Sequence, residues 1–230
     1  MYQASHRTYG YRRITIALQK QQQINHKAVL RLMHKLGIRS VARKRKIYKQ
    51  LSSTEGTYQY SNLLDRNFTA TRPNQKWVTD VTYIHTQQGW AYLSTIKDLF
   101  DGFIVAHQLG RENSVGLVTN TIRLAQRKEK IVAGLILHSD QGFQYRTHPY
   151  RLLTSTAGIT PSMSRRGNCW DNAPMENFFG HLKEEALRQF KNPSFHEAQQ
   201  IIDDYIYFFN FERIQLKTRL TPYQLRCQST

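Results

Sequence analysis

Three carboxylates stand out among the 16 acidic residues because of where they lie in the sequence. Asp80 interrupts KWVTDVTYI, a run of β-branched and aromatic residues that predicts a strand over 76–84. Alternate side chains of a strand share a face, so Asp80 is expected at or near a packed layer with Val78 and Ile84. An unpaired carboxylate there is costly or stays protonated, and a bound metal ion removes that problem. An ion pair with a Lys or Arg is the alternative.

Asp140 and Glu176 lie at the ends of predicted elements. Asp140 follows the apolar run GLIL, which predicts a short strand over 134–137. The carboxyl end of a strand in an α/β sheet is a usual place for ligand-binding groups, although a turn or helix-cap aspartate explains this residue equally well. Glu176 follows Pro174 in the first turn of a helix predicted over 174–187, where an acidic residue is also simply favourable. Taken alone, neither residue identifies a site.

The elements that must position these carboxylates alternate along the chain. Further strands are predicted over 92–96, 103–108 and 159–163, and further helices over 113–128, 148–157 and 196–210. Three consecutive strands, then strands alternating with helices, indicate an α/β fold with a mixed sheet flanked by helices. The other acidic residues are expected on helix surfaces (Glu129, Glu184, Glu185, Glu197, Asp203, Asp204), in turns (Asp98, Asp101) or as a loop or helix cap (Asp171).

The charge of the chain indicates a polyanionic partner. Lys and Arg outnumber Asp and Glu by 33 to 16, a formal net charge of +17. Residues 1–54 hold 13 of the basic residues and no acidic one. Such a field favours DNA through the release of counterions, but RNA or an anionic membrane surface would also attract it. A solvated basic tail is the structural alternative.

The basic N-terminal region carries two short helical patterns. The first spans 11–21, and the second follows Asn25 as a cap and ends before Gly37. In the second, Val29, Leu32, Met33 and Leu36 are predicted to form one apolar stripe. Two helices bearing basic residues suit a helix-turn-helix unit. Because two helices bury little, a third element is expected upstream or from the catalytic domain; a small helical cap without DNA contact is the alternative.

The spacing of the carboxylates and the residues around them resemble a known family. Between Asp140 and Glu176 lie 35 residues, and Lys183 follows Glu176 by seven. This resembles the DD(35)E signature of retroviral integrases and bacterial insertion-sequence transposases. The resemblance to the bacterial branch extends over almost the whole chain, through five blocks in order: YGYRRI with VLRLMHKLGI, then WVTDVTYI, HSDQGFQY, RRGNCWDNAPMENFFGHLKEE and FNFERIQLKTRLTPYQL.

The resemblance implies a ribonuclease H-like fold and a DNA transposase or integrase, a polynucleotidyl transferase. It implies Asp80, Asp140 and Glu176 as catalytic residues that hold two Mg²⁺ or Mn²⁺ ions, with Asp80 shared by both. Phosphodiester transfer must stabilise an attacking and a leaving oxygen together, and hard cations prefer carboxylate ligands. The expected reactions are cleavage at the ends of an insertion element and attack by the freed 3′-hydroxyl on another phosphodiester.

The predicted DNA contacts fall into two groups. Near the triad, Lys183 is assigned to the DNA backbone, and Arg166 and Asn172 to DNA and to positioning the loop that carries Glu176. Trp170 in this loop is expected to pack in the core, with a wedge against a base as the alternative. The second group lies in the N-terminal region: Arg12, Arg13, Lys27, Arg31, Arg43, Lys44, Arg45 and Lys46.

The sequence also predicts domains, partners and location. The expected division is a helix-turn-helix-like segment (1–38), a basic arm and linker (39–72), an integrase-like core (73–190) and a C-terminal helix and tail (191–230). Expected partners are the terminal inverted repeats and target DNA, further copies of the chain, and the product of an upstream reading frame, since the chain resembles the catalytic (orfB-type) frame. No membrane span is apparent, so a cytoplasmic, nucleoid-associated bacterial protein is expected. The alternatives are a nuclease that cannot join strands and a non-catalytic DNA-binding repressor or remnant.

Overall fold

The central sheet is mixed and has five strands in the order β3-β2-β1-β4-β5 in the computed structural model, which describes residues 1–41 and 58–228. The strands are β1 (Lys76–Thr86), β2 (Gly89–Asp98), β3 (Ile104–Gly110), β4 (Ile136–Ser139) and β5 (Thr160–Met163). The first three form an antiparallel meander, whereas β4 runs parallel to β1 and β5 runs parallel to β4. The predicted α/β class with a mixed sheet is confirmed.

Seven helices accompany the sheet in the described parts of the chain. They are α1 (Tyr11–Gln19), α2 (His26–Lys35), α3 (Val115–Lys128), α4 (His148–Thr156), α5 (Ala173–Glu185), α6 (Phe195–Phe211) and α7 (Pro222–Cys227). Side chains cap the starts of helices: Asn25, the predicted cap of α2, accepts a hydrogen bond from the Lys27 amide, and Ser194 and Glu197 form a capping box at α6. None of the helices in 1–41 and 58–228 is both long and apolar enough to cross a membrane.

A hydrophobic core lies on each face of the sheet because the side chains of β1 alternate. Trp77 points into the core that includes residues of α3 and α4. Val78 and Ile84 point into the other core, which includes residues of α5 and α6. Asp80 has the same parity as Val78 and Ile84, so it lies on the face covered by α5. This arrangement brings the helix with Glu176 over the strand with Asp80.

The N-terminal helix pair packs against the C-terminal part of the chain. The Tyr9 hydroxyl accepts a hydrogen bond from the Ile214 amide (2.7 Å) and donates one to the Glu212 carbonyl (2.9 Å). The Arg13 guanidinium donates to the Ile214 carbonyl (2.8 Å). These hydrogen bonds attach the N-terminal helix pair to the region that follows α6, which lies outside the catalytic core predicted over 73–190. Arg13 is half-buried and bound to Ile214 in this way, and its contact with DNA stays a prediction.

The predicted apolar stripe of α2 is only half correct. Val29 and Met33 are buried, but Leu32 and Leu36 are 51% and 68% exposed. The helix packs through one side, and Leu32 and Leu36 lie away from that contact. Gly37 ends the helix with φ +64°, a conformation that favours glycine.

Several carboxylates predicted in solvent or in turns are buried in ion pairs. Glu185 (5% exposed) accepts hydrogen bonds from the Arg213 guanidinium and the Tyr205 hydroxyl. Glu184 is also buried, and it pairs with Arg188. Asp98 and Asp101 do accept hydrogen bonds from turn amides as predicted, but both are buried and bind the guanidinium of Arg226, as does Glu129. Arg188 lies one turn from Glu184, but Arg213 and Arg226 are distant in sequence from the carboxylates that they bind and leave no local signal.

Candidate active site

Asp80 and Asp140 lie side by side because of the parallel register between β1 and β4. Val78 of β1 is opposite His138 of β4. Asp80 lies two residues beyond Val78 in β1, and Asp140 directly follows the last residue of β4, two residues beyond His138. The parallel register therefore brings the end of β4 beside this part of β1. Both carboxylates are half-buried, and the charge of Asp140 acts on Asp80.

Each of these carboxylates is oriented by a backbone amide. The Val81 amide donates to Asp80 Oδ1 (2.7 Å), and the Gly142 amide donates to Asp140 Oδ1 (2.8 Å). Burial and the neighbouring charge of Asp140 raise the pKa of Asp80 well above its usual range. Burial likewise raises the pKa of Asp140. Two carboxylates that repel each other in a poorly solvated place favour a cation between them.

Glu176 lies in the first turn of α5, with its side chain exposed at the edge of the buried surface. Its charge raises the pKa of Asp80 further, whereas the charge of Lys183 on the same helix lowers it. Both residues therefore act electrostatically on the aspartate pair. Within the described residues, however, no three His, Cys, Asp or Glu side chains already converge as a metal cage. The structure brings Asp80 and Asp140 together and leaves Glu176 beside them.

The donor set fits a hard divalent cation. All three side chains offer carboxylate oxygens, which Mg²⁺ and Mn²⁺ prefer over nitrogen or sulfur ligands. A buried oxygen lies nearby: Asn172 Oδ1 has no hydrogen-bond partner among the described residues, while the Asn172 amide group donates to the Thr79 carbonyl (3.2 Å). The residue preceding Asp80 is thus tied to the loop that leads to Glu176.

Two residues of the site were not identified from the sequence. The Tyr145 hydroxyl lies 3.5 Å from Thr79 Oγ1, and burial and the charges of Asp80 and Asp140 raise the pKa of Tyr145 well above its usual range. His138 is buried between Ser162 and Ser164, and burial lowers its pKa to about 4. Tyr145 therefore stays a neutral phenol and His138 a neutral imidazole. The motif HSDQGFQY contains both, but only the fold shows their contacts.

The loop between β5 and α5 is held by Asp171. Its carboxylate accepts hydrogen bonds from the Arg165 amide and guanidinium, from Arg66 and from Asn62, at 2.9–3.1 Å. The hydrogen bond from Arg165 is the main reason that the pKa of Asp171 lies well below its usual range. The predicted loop role of Asp171 is confirmed. Arg165, not Arg166, supports this loop.

The other predictions for this loop have mixed outcomes. Asn172 is only 4% exposed, so it positions the loop as predicted but is too buried for the predicted DNA contact. Trp170 is 65% exposed, so the expected core packing is wrong. Arg166 is exposed and stays a predicted DNA contact.

The remaining predicted DNA-binding residues either lie at the protein surface or fall outside the described residues. Arg12, Lys27 and Arg31 are exposed on α1 and α2, and Lys183 is half-buried beside the carboxylates. Arg43, Lys44, Arg45 and Lys46 lie outside the described residues.

Comparison with known proteins identifies the same architecture. Residues 70–169 and 176–230 match families described as Integrase core domain, and residues 1–46 match an HTH-like domain. The sequence is 42% identical to InsK of insertion sequence element IS150 from Escherichia coli K12, over all of this chain and 81% of that protein. It is 41% identical to a transposase-like protein of Haemophilus influenzae, over 94% of this chain and 99% of that protein.

A solved structure shares the fold. The catalytic core domain of HTLV-2 integrase in complex with magnesium superposes with a TM-score of 0.55 at 15% identity, over 68% of this chain and 99% of that chain. This likeness confirms the ribonuclease H-like core that the sequence motifs imply.

Proposed function

The chain belongs to the insertion-sequence transposases with an integrase core domain, and from this premise we propose that Asp80, Asp140 and Glu176 carry out its DNA cleavage and strand transfer. The observation that supports this assignment most is the parallel register of β1 and β4, which directs the end of β4, and Asp140 just after it, toward Asp80. Glu176 lies on the helix that packs over the same face and acts on Asp80 through its charge.

We propose that the three carboxylates hold two divalent ions, Mg²⁺ or Mn²⁺. Bound there, such ions would stabilise the negative charge that develops on the attacking and leaving oxygens of the phosphodiester. The protein's own part is to fix the ligands: the Val81 and Gly142 amides orient the aspartates, and Asn172 holds the glutamate loop against Thr79. Lys183 lies two turns along α5 from Glu176 on the same face of the helix, and it would bind the DNA backbone.

The reaction proceeds in two steps without a covalent protein intermediate. In the first, water attacks the phosphodiester at the element end, the bond to the flanking strand breaks, and a free 3′-hydroxyl remains. In the second, this hydroxyl attacks a phosphodiester of the target, and the target strand leaves as a new 3′-hydroxyl. The number of phosphodiester bonds is conserved in the second step, so no energy source is needed.

DNA binding extends beyond the triad. We propose that Arg12, Lys27, Arg31, Arg166 and Lys183 contact the element ends or the target, together with Arg43, Lys44, Arg45 and Lys46 outside the described residues. We further propose that several copies of the chain assemble on DNA in the bacterial nucleoid and that the product of an upstream reading frame, as a partner or a fusion, selects the ends.

A strand-transfer assay tests this function. The protein is incubated with Mg²⁺, a plasmid target and a labelled duplex that ends in the element's inverted repeat with a precleaved 3′-hydroxyl, with and without the upstream product. Joined products are expected. Nicked plasmid without joined products would instead indicate a nuclease, and DNA binding without either product would indicate a repressor or remnant.

The close packing at Gly142 gives a second, independent test. A Cβ at this position would lie 2.9 Å from Asp140 Oδ1 and 3.0 Å from Gln144 Oε1. Gly142→Ala should therefore displace the Asp140 carboxylate and lower the rate of strand transfer about 10- to 100-fold. In the matched control Gly116→Ala, the added carbon meets only ordinary contact at 3.7 Å, and the rate should stay unchanged. Full activity of Gly142→Ala would contradict the proposed role of Asp140.

A further inference from the structure

Trp170 is exposed on a loop whose neighbouring residues are buried. Its side chain is 65% exposed, whereas Asp171 and Asn172, the next two residues, are 0% and 4% exposed. A large apolar ring in water is unfavourable, and most Trp side chains pack in cores or at interfaces. This ring is therefore expected to contact a partner outside the chain.

The loop is fixed at the two residues that follow Trp170. Asp171 is bound by Arg165, Arg66 and Asn62, and Asn172 is bound to the Thr79 carbonyl. Trp170 cannot fold inward unless these hydrogen bonds break. Its exposure is thus imposed by the residues that follow it, and the ring is presented to a partner without a loop rearrangement.

Trp170 belongs to the loop that joins the reacting groups. Asn172, two residues after Trp170, contacts the residue before Asp80, and Glu176 lies in the first turn of α5. The side chains of Arg66 and Arg165, which hold the neighbouring Asp171, are about half-exposed, at 48% and 51%. A loop that carries an exposed ring and is held by exposed arginines suits the two parts of a nucleotide, since bases stack on aromatic rings and phosphates pair with arginine.

We propose that Trp170 stacks on an unpaired base at the DNA end, next to the phosphate that the triad acts on, and thereby keeps the terminal base pairs open. This inference rests on the proposed function. It assigns Trp170 as a positioning residue that holds the strand. The bond-making steps remain with the carboxylates, the attacking water and the freed 3′-hydroxyl.

Strand transfer by Trp170→Ala on two DNA ends tests the proposal. One precleaved end is fully paired, and the other has mismatches at its last three base pairs. With the paired end, Trp170→Ala should lower the single-turnover rate about 10-fold, the effect expected for the loss of one stacked base. With the mismatched end the rate should recover to near that of the unchanged protein. Trp170→Phe, which keeps a stacking ring, should retain most of the rate on both ends.

A fluorescence measurement gives a readout besides activity. 2-Aminopurine at the terminal position of the mismatched end, where the base is unpaired and bright, should be quenched when the unchanged protein binds and stay bright with Trp170→Ala. Trp90→Ala is the matched control, because Trp90 is 59% exposed but lies on the β1–β2 hairpin; it should behave like the unchanged protein. Equal losses of Trp170→Ala on both ends, or no loss on either, would overturn the stacking role.

The strand-transfer function and the stacking role of Trp170 would fail in different experiments. If the unchanged protein binds the end and quenches 2-aminopurine but joins no strands, the strand-transfer function fails and the stacking contact stands. If it joins strands and Trp170→Ala does so equally well on the paired end, the function stands and the stacking role fails.

Discussion

Replacing Asp80 with asparagine is expected to reduce strand transfer on the order of 1000-fold or more while DNA binding persists. Asparagine keeps the size of the side chain but removes the charge that a divalent cation needs. Charge stabilisation by such cations contributes several kcal/mol to the transition state, and each 1.4 kcal/mol corresponds to a factor of ten in rate. The same result is expected for Asp140→Asn, because the register of β1 and β4 makes the two aspartates one site.

The measurement combines joined products with DNA binding by fluorescence anisotropy. Removing a repelling carboxylate should leave the fold intact, since the Asp80 pKa is raised in part by the charge of Asp140. Asp204→Asn is the matched control, as Asp204 is exposed on α6 away from the triad. Retained strand transfer in Asp80→Asn would contradict the catalytic assignment and favour a non-catalytic DNA-binding protein.

Glu185→Gln is expected to destabilise the fold by about 3–5 kcal/mol, because it leaves Arg213 as an uncompensated buried charge. Glu185 and Arg213 are each 5% exposed and share two hydrogen bonds, one of them 2.6 Å long. For a chain of this size, such a loss lowers the melting temperature by roughly 10 °C. Urea unfolding followed by circular dichroism measures the change. Glu184→Gln, next to it, should cost less because its partner Arg188 is half-exposed and water can replace the contact.

The pH dependence of folding stability gives a second test of the Glu185–Arg213 ion pair. Burial alone would raise the pKa of Glu185, but hydrogen bonds from His181 and Arg213 outweigh it and lower the pKa to about 2 from 4.5. A depressed carboxyl pKa stabilises the fold above the unfolded value, and this contribution is lost as the pH falls from about 4.5 through 2. It amounts to roughly 3 kcal/mol. In Glu185→Gln this part of the acid sensitivity should be missing; an unchanged slope would contradict the assignment.

The sequence predicts those parts of the site that depend on local pattern. Asp80 is recognisable because a charge interrupts an apolar strand, and the interval from Asp140 to Glu176 identifies the family. All five strands and the first six helices lie close to their predicted positions. The division of the chain at residues 38, 72 and 190 stays a prediction.

What the sequence does not predict depends on contacts between distant segments. Asp101 and Glu185 look like ordinary turn and helix residues, yet each binds an arginine that the fold brings from far along the chain. Arg13 is predicted as a DNA contact, and only the fold shows that Ile214 lies beside it. Trp170 looks like a core residue because hydrophobicity alone does not reveal that the two residues after it are anchored inward.

The contacts of Tyr9 and Arg13 with residues 212–214 bear on where DNA is cut relative to a sequence bound by α1 and α2. Because α1 and α2 are fastened to the region after α6, the distance from these helices to the triad is fixed by packed protein. If α1 and α2 bind a sequence at the element end, cleavage is expected at a set number of base pairs from it. Half a helical turn of extra DNA, about five base pairs, would turn the scissile phosphate to the opposite side of the duplex. The spacing at the element end would then matter as well as its sequence.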